Sequence, residues 1–178
     1  VFGGAVMSRD KRVAQDIIDC GDDWGISLGP DDAYTALRGL RSLKTRMDAH
    51  EAAGLRIANW LSERPEVCQV LHPALEQHPD HVIWKRDFTG SNGLFSVILN
   101  TVSPEGLKRF FDALELFSMG FSWGGFESLI IPCDPQLKRS KGHWIDQKVG
   151  PLLRIHVGLE TVDDLIADLR AGFEAMGE

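Results

Sequence analysis

Ser118-Met-Gly-Phe-Ser-Trp-Gly-Gly-Phe-Glu-Ser-Leu-Ile130 is the stretch around which the chain makes sense. Its two ends are apolar or β-prone enough to be strand, and its middle, Phe121-Ser122-Trp123-Gly124-Gly125, suits neither strand nor helix. Paired glycines open backbone angles closed to other residues and let another group come close. Ser122 and Trp123 offer one hydroxyl, one indole N–H and one large aromatic face. A buried indole N–H needs a partner, and protein or ligand could supply it. A second stretch, Leu152-Leu-Arg-Ile-His-Val-Gly-Leu159, sets Arg154 in an otherwise apolar strand. A buried guanidinium must meet a carboxylate or phosphate. The two stretches are expected to face each other and hold the carboxylate end of a small substrate. The competing reading pairs Arg154 internally with Glu127 or Asp163.

Working outward, Leu94 to Leu99 is a strong strand, and Ser103-Pro104-Glu105 starts a helix that runs to about Leu116. Ser128 to Ile131 and Leu152 to Gly158 follow as strands. Thr161-Val-Asp-Asp164 reads as a capping box for a last helix with Leu165, Ile166, Leu169 and Phe173 on one face. Upstream lie a strand, Val67 to Leu71, and a short helix, His81 to Asp87. After residue 65 this alternation describes an α/β two-layer domain with helices on one face of a sheet. Between Asp31 and Glu63 apolar residues recur at helical spacing. An unbroken helix there would extend about 50 Å at ~1.5 Å per residue. A connector between domains, or a helix bent at Gly54, explains that length. Val1 to Met7 reads as a short strand, and Lys11 to Cys20 as an amphipathic helix capped by Ser8. The division is therefore 1–30, the edge of a separate domain; 31–64, an interdomain helix; and 65–178, the α/β domain. A chain that opens on Val1 in mid-strand is expected to be a truncated or cleaved product.

Composition narrows the partners. The chain has 178 residues, 43% of them hydrophobic and 25% charged, the profile of an ordinary soluble domain. Its formal charge of -7, with no offsetting basic stripe, argues against nucleic acid. No run approaches the eighteen or so apolar residues of a membrane span, and no basic leader is visible. Cys20, Cys68 and Cys133, odd in number and far apart, fit a reducing cytosol better than a disulfide framework.

Three segments together carry a family resemblance: Trp84-Lys-Arg-Asp-Phe-Thr-Gly-Ser-Asn-Gly-Leu-Phe-Ser96, Phe117 to Leu129 with its Phe-Ser-Trp-Gly-Gly core, and Leu153-Arg-Ile-His-Val-Gly-Leu-Glu-Thr-Val-Asp-Asp-Leu165. They resemble the cystathionine β-lyase branch of the pyridoxal-phosphate-dependent enzymes of Cys/Met metabolism. Asp32 to Arg41 resembles that family's interdomain helix. The resemblance runs along essentially the whole chain, in the family's order. Trp123 and His156 are similar to the β-lyase branch rather than to the γ-synthase and γ-lyase relatives.

The resemblance implies the C-terminal domain of a fold-type I pyridoxal-phosphate enzyme, a cytoplasmic homotetramer. That enzyme cleaves cystathionine to homocysteine, pyruvate and ammonia. It implies that Arg154 grips the substrate α-carboxylate as a bidentate pair, with Ser122 and Trp123 placing that carboxylate and the region of the cofactor. Pyridoxal 5′-phosphate would be the electron sink. Phe121 stands where some relatives carry Tyr. The family's Schiff-base lysine and phosphate-binding residues would lie upstream of Val1, so the chain alone is expected to be inactive.

Other features have plainer readings. Ser122 lacks a His–Asp pattern, so it is no nucleophile. Cys68, His72, His78 and His81 match no compact zinc pattern and read as a solvated loop. Gly90 to Gly93 is a turn and not a phosphate loop. Lys138 to Lys141 is a solvated basic run. His156 shares a strand face with Arg154 and reads either as a supporting partner or as a satisfied core histidine.

Overall fold

Asp10 caps the first helix, α1 (Lys11–Asp23): its carboxylate accepts the N–H groups of Arg12 at 2.8 Å and Val13 at 3.1 Å. Ser8, the expected cap, sits too early and instead takes the N–H of Asp10 at 3.1 Å. The structure, a computed structural model, describes residues 3–138 and 149–177. It divides into two compact units, residues 1–45 and 46–178.

The first unit holds α1 and α2 (Pro30–Arg41) and the opening of α3 (Leu43–Ser62). Residues 3–7, expected as a strand, form none. A strand exists only through a neighbour that takes up its backbone groups, and the described residues provide none. The stretch 31–64 is two helices parted at Ser42, whose N–H closes the end of α2 onto Gly39 and Leu40 carbonyls. Gly54, the expected bend, lies inside α3. Its role is close approach: a Cβ there would come within 2.9 Å of the Asn92 carbonyl oxygen and 3.2 Å of Gly93 Cα.

In the second unit, β1 (Val67–Leu71), α4 (His81–Asp87), β2 (Leu94–Leu99), α5 (Pro104–Asp112), β3 (Ser118–Met119), β4 (Leu129–Pro132), β5 (Leu152–His156) and α6 (Val162–Gly177) follow in order. A 3₁₀ turn at Asp134–Gln136 lies between β4 and β5. The strands form one sheet in the order β1-β2-β5-β4-β3, antiparallel except for the parallel pair β3–β4. This is the α/β layered domain that the alternation of elements implied. Ser103 caps α5 as expected, accepting the Gly106 N–H at 3.0 Å. Helices and sheet share one core. Ile57 and Leu61 of α3, Phe110 of α5, and Leu165, Leu169 and Phe173 of α6 meet Val97, Leu99, Leu153 and Ile155 of the central strands. Leu165, Ile166, Leu169 and Phe173, the face read from periodicity, are all buried. Because side chains alternate along a strand, Leu153 and Ile155 point into that core and Arg154 and His156 to the opposite face. The basic run beginning at Lys138 falls, beyond its first residue, outside the described residues.

Candidate functional site: a glycine bend held by one central strand

The bend between β3 and β4 is fastened at both ends by carboxylates, buried Asp168 and half-buried Glu160. At its entrance, α5 stops at Asp112, short of the expected Leu116, because the next backbone groups turn to Asp168 of α6. That side chain accepts the N–H of Glu115 at 2.7 Å and those of Leu116 and Phe117 at 3.0 Å each. At its exit, Glu160 accepts the N–H of Ser128 at 2.7 Å and its hydroxyl at 2.8 Å. The Ser128 hydroxyl oxygen in turn accepts the Gly158 N–H at 2.8 Å, and the Leu159 N–H reaches the Phe126 carbonyl at 2.8 Å.

Between these fastenings, Arg154 and His156 hold the middle. One terminal nitrogen of Arg154 points at three successive carbonyls, Gly120 at 3.2 Å, Phe121 at 2.8 Å and Ser122 at 3.3 Å. The edge of the His156 ring lies against the next peptide. Its Nε2 is 3.1 Å from both the Gly124 nitrogen and the Gly125 oxygen. Gly124 has φ of 81°, a left-handed conformation that favours glycine, so glycine at this position is a geometric requirement of the bend.

Arg154 thus meets the Ser–Trp–Gly–Gly bend, as read from the sequence. The internal ion pairs considered for it are absent among the described residues: Asp163 pairs with Arg56, and Glu127 is exposed. Its half-buried guanidinium keeps Nε and the other terminal nitrogen without protein partners among the described residues. Ser122 reaches Arg154 through its carbonyl and leaves its hydroxyl exposed. Trp123 is 61% exposed, so its indole sits on the surface of the bend instead of in the core. Phe121 and Phe126 beside it are exposed as well.

Burial is the main force on the titrating groups here. It pushes the His156 imidazole below its ordinary range. His50 and Arg154 press the same way, while the Gly125 carbonyl and Glu160 pull back. Burial also raises the Cys133 thiol, an effect tempered by Arg154.

Sequence reasoning missed four supports. Asp168 was legible as an acid set among the apolar positions of α6. Glu160 lies just beyond the Arg154 strand. Glu51 of α3 receives the Ser91 N–H at 3.0 Å and so anchors the Gly90–Gly93 turn. His50 of α3 is buried against His156, with ring centroids 5.4 Å apart, and nothing in its spacing announces that. Of the loop histidines, His72 and His78 each accept a backbone N–H two residues on, from Ala74 and Asp80, and His81 contacts the Pro73 carbonyl. Among the described residues no three His, Cys, Asp or Glu side chains gather as a metal set.

Among the described lysines of the second unit none is enclosed as an imine-forming lysine has to be. A Schiff-base lysine must be shielded to lose its proton, whereas Lys85, Lys108 and Lys138 are exposed and Lys108 is paired with Asp112.

Fold and site define a small α/β domain whose central strand carries an arginine braced on the carbonyls of an exposed aromatic bend. The family follows directly: residues 1–174 match the model of the Cys/Met metabolism PLP-dependent enzymes, and the chain belongs to that family. It is 50% identical to the cystathionine beta-lyase of Salmonella typhimurium and 49% identical to that of Escherichia coli K12, in each case over 84% of this chain. It spans only 38% of either relative's length. A crystal structure of cystathionine gamma synthase from Xanthomonas oryzae pv. oryzae, in complex with cystathionine, superposes with a TM-score of 0.85 at 30% identity. That match covers 96% of this chain and 45% of the other. No helix among the described residues is long and apolar enough to cross a membrane.

Proposed function

We propose that this chain is the substrate-carboxylate-binding, C-terminal part of a pyridoxal-phosphate-dependent carbon–sulfur lyase, cystathionine β-lyase, which yields homocysteine, pyruvate and ammonia. One observation carries the reading. Arg154 stands in mid-strand, uses one nitrogen to brace the Gly120–Ser122 carbonyls, and has no acidic partner among the described residues. Its remaining N–H groups can take a carboxylate as a charge-assisted pair. The carbonyl brace limits the rotamers that binding would otherwise have to freeze. Ser122 and Trp123 flank that position, one offering a hydroxyl and the other an aromatic wall against water. The cofactor, when bound in the complete enzyme, supplies the electron sink. In this reading its lysine lies outside this chain. In that reading residues 1–30 are the edge of the cofactor-bearing domain, 31–64 connect it to the domain of 65–178, and the complete enzyme is a cytoplasmic homotetramer.

The test joins this chain to the amino-terminal part of the Salmonella relative and follows pyruvate release from cystathionine. The chimera is active. Arg154→Lys, which replaces a planar fork by a point charge, raises KM by roughly 100-fold, about 3 kcal/mol. The chain alone releases no pyruvate, and borohydride leaves pyridoxal phosphate on no single stoichiometric lysine. An active chimera with an unchanged KM in Arg154→Lys, or a lone chain trapped at one lysine, refutes the proposal. The likeness to a γ-synthase structure favours a second reading, cleavage on the γ side. In the same assay that reading gives 2-oxobutanoate in place of pyruvate. A non-catalytic amino-acid-binding or subunit-interaction module gives neither.

A further inference from the structure

We propose that His156, backed by His50, is a positioning residue of this site: in its neutral form alone its ring edge sets the Gly124–Gly125 peptide, and thereby where Ser122 and Trp123 stand beside Arg154. The importance of that placement rests on the carboxylate-binding reading of Arg154. The hold on the bend rests on geometry.

Arg154 and His156 are two residues apart on β5 and leave the same face of the sheet. Arg154 braces the carbonyls of residues 120–122, and His156 meets residues 124 and 125. Ser122 and Trp123 lie at the junction of the two holds, so their placement depends on both. A neutral imidazole has one donor and one acceptor nitrogen. The Gly124 N–H lies along the ring edge, 3.1 Å from Nε2 and 3.4 Å from Nδ1, and either neutral tautomer offers it one lone pair; with the hydrogen on Nε2 the ring also donates to the Gly125 carbonyl at 3.1 Å and accepts at Nδ1. An imidazolium has two donors and no acceptor. A proton taken from solvent therefore keeps the Gly125 contact and sets N–H against N–H at Gly124.

His50 stiffens this arrangement from α3. It is 4% exposed, its Nδ1 lies 2.9 Å from the Val157 carbonyl, and its ring centroid is 5.4 Å from that of His156. The carbonyl makes Nδ1 the donor, which leaves Nε2 buried and without a hydrogen-bond partner among the described residues. Among the described residues, three titratable side chains act on His156. His50 comes from α3, Glu160 from the segment between β5 and α6, and Arg154 from its own strand. Its register partners, Leu94 of β2 and Leu129 of β4, carry no charge. Glu160 is the only anion among them, and both of its oxygens are already engaged by Ser128. The neutral ring is accordingly the state this site favours.

The experiment uses the whole chain, labelled with ¹⁵N-glycine and 5-fluorotryptophan, with the Trp123 resonance assigned by Trp123→Phe. Between pH 8 and pH 5 the Gly124 amide and the Trp123 fluorine line move together, in a one-proton transition centred below 6.5. His156→Gln, whose amide both accepts and donates, keeps the neutral-state positions and loses the transition. His156→Ala raises Gly124 amide exchange by roughly 10-fold at every pH. A transition that persists in His156→Gln overturns the proposal. So does a His156→Ala chain whose Gly124 exchange and Trp123 line match the wild type. L-cystathionine added at pH 7.5 tests the Arg154 reading separately. If it leaves the Trp123 line unmoved while the pH transition stands, the carboxylate role falls and the hold on the bend is upheld.

Discussion

Replacing Asp168 by alanine removes the acceptor for three consecutive backbone N–H groups at the entrance to the bend, and the cost follows from their burial. The Phe117 N–H is buried and the Glu115 and Leu116 N–H groups partly so. A buried donor left without its charged acceptor costs about 2 kcal/mol, and a partly wetted one about 1 kcal/mol because water can replace the carboxylate. The sum, about 4 kcal/mol, is a large share of a domain's stability. At about 4 °C per kcal/mol for a domain of this size, the thermal midpoint falls by roughly 15 °C. Asp168→Asn makes the comparison sharper. One oxygen, Oδ2, accepts from both Leu116 and Phe117, and the other, Oδ1, from Glu115. The amide can keep the double acceptor and lose only the Glu115 contact, so its cost is about 1 kcal/mol, a quarter that of alanine. Thermal and urea unfolding of the three proteins, followed by circular dichroism, measures both values. An alanine variant within 3 °C of the wild type refutes the reasoning. An asparagine variant as unstable as alanine refutes the assignment of the oxygens.

Gly158→Ala places a methyl group on the backbone of Phe126 and Glu127, with the Glu127 carbonyl carbon 2.7 Å away. Backbone cannot swing aside, so a loss of about 2–4 kcal/mol is expected, with proteolytic cleavage appearing within residues 120–127; a substitution neutral in urea unfolding counts against the packing described for the exit of the bend. Acid weakens the domain through His72 and His156, both held below the ordinary histidine range chiefly by burial. When the folded value is the lower one, the unfolded chain binds more protons between the two values. Stability is then complete above about 6.5 and declines as pH falls through the folded values. Urea midpoints at pH 7.5, 6 and 5 decrease in that order, and the double variant His72→Gln/His156→Gln flattens the decrease. A midpoint that rises with acid would reverse the sign.

Much of the domain could be read from residue order because its elements carry strong local signals. Leu94–Leu99 is a continuous apolar strand, Ser103-Pro104 is a cap followed by the one residue suited to a first helical position, and α6 repeats Leu165, Leu169 and Phe173 on one face. Arg154 stood out because a guanidinium in an apolar strand demands an explanation. The misreadings fall where a distant group decides. The end of α5 is set by a carboxylate more than fifty residues away in sequence. Gly54 looked like a hinge, but it serves a contact with the Asn92–Gly93 turn.

The order of elements, the polarity of each helix face and the singularity of Arg154 come from the sequence alone, because each depends on residues a few positions apart. Which groups hold the bend was decided only in three dimensions. Asp168 reaches it from α6 and Glu160 from the segment between β5 and α6, while His50 of α3 backs His156, and nothing in the spacing of these three along the chain says that they converge here. Hydrogen bonds depend on distance in space, and the sheet order β1-β2-β5-β4-β3 brings together residues far apart along the chain.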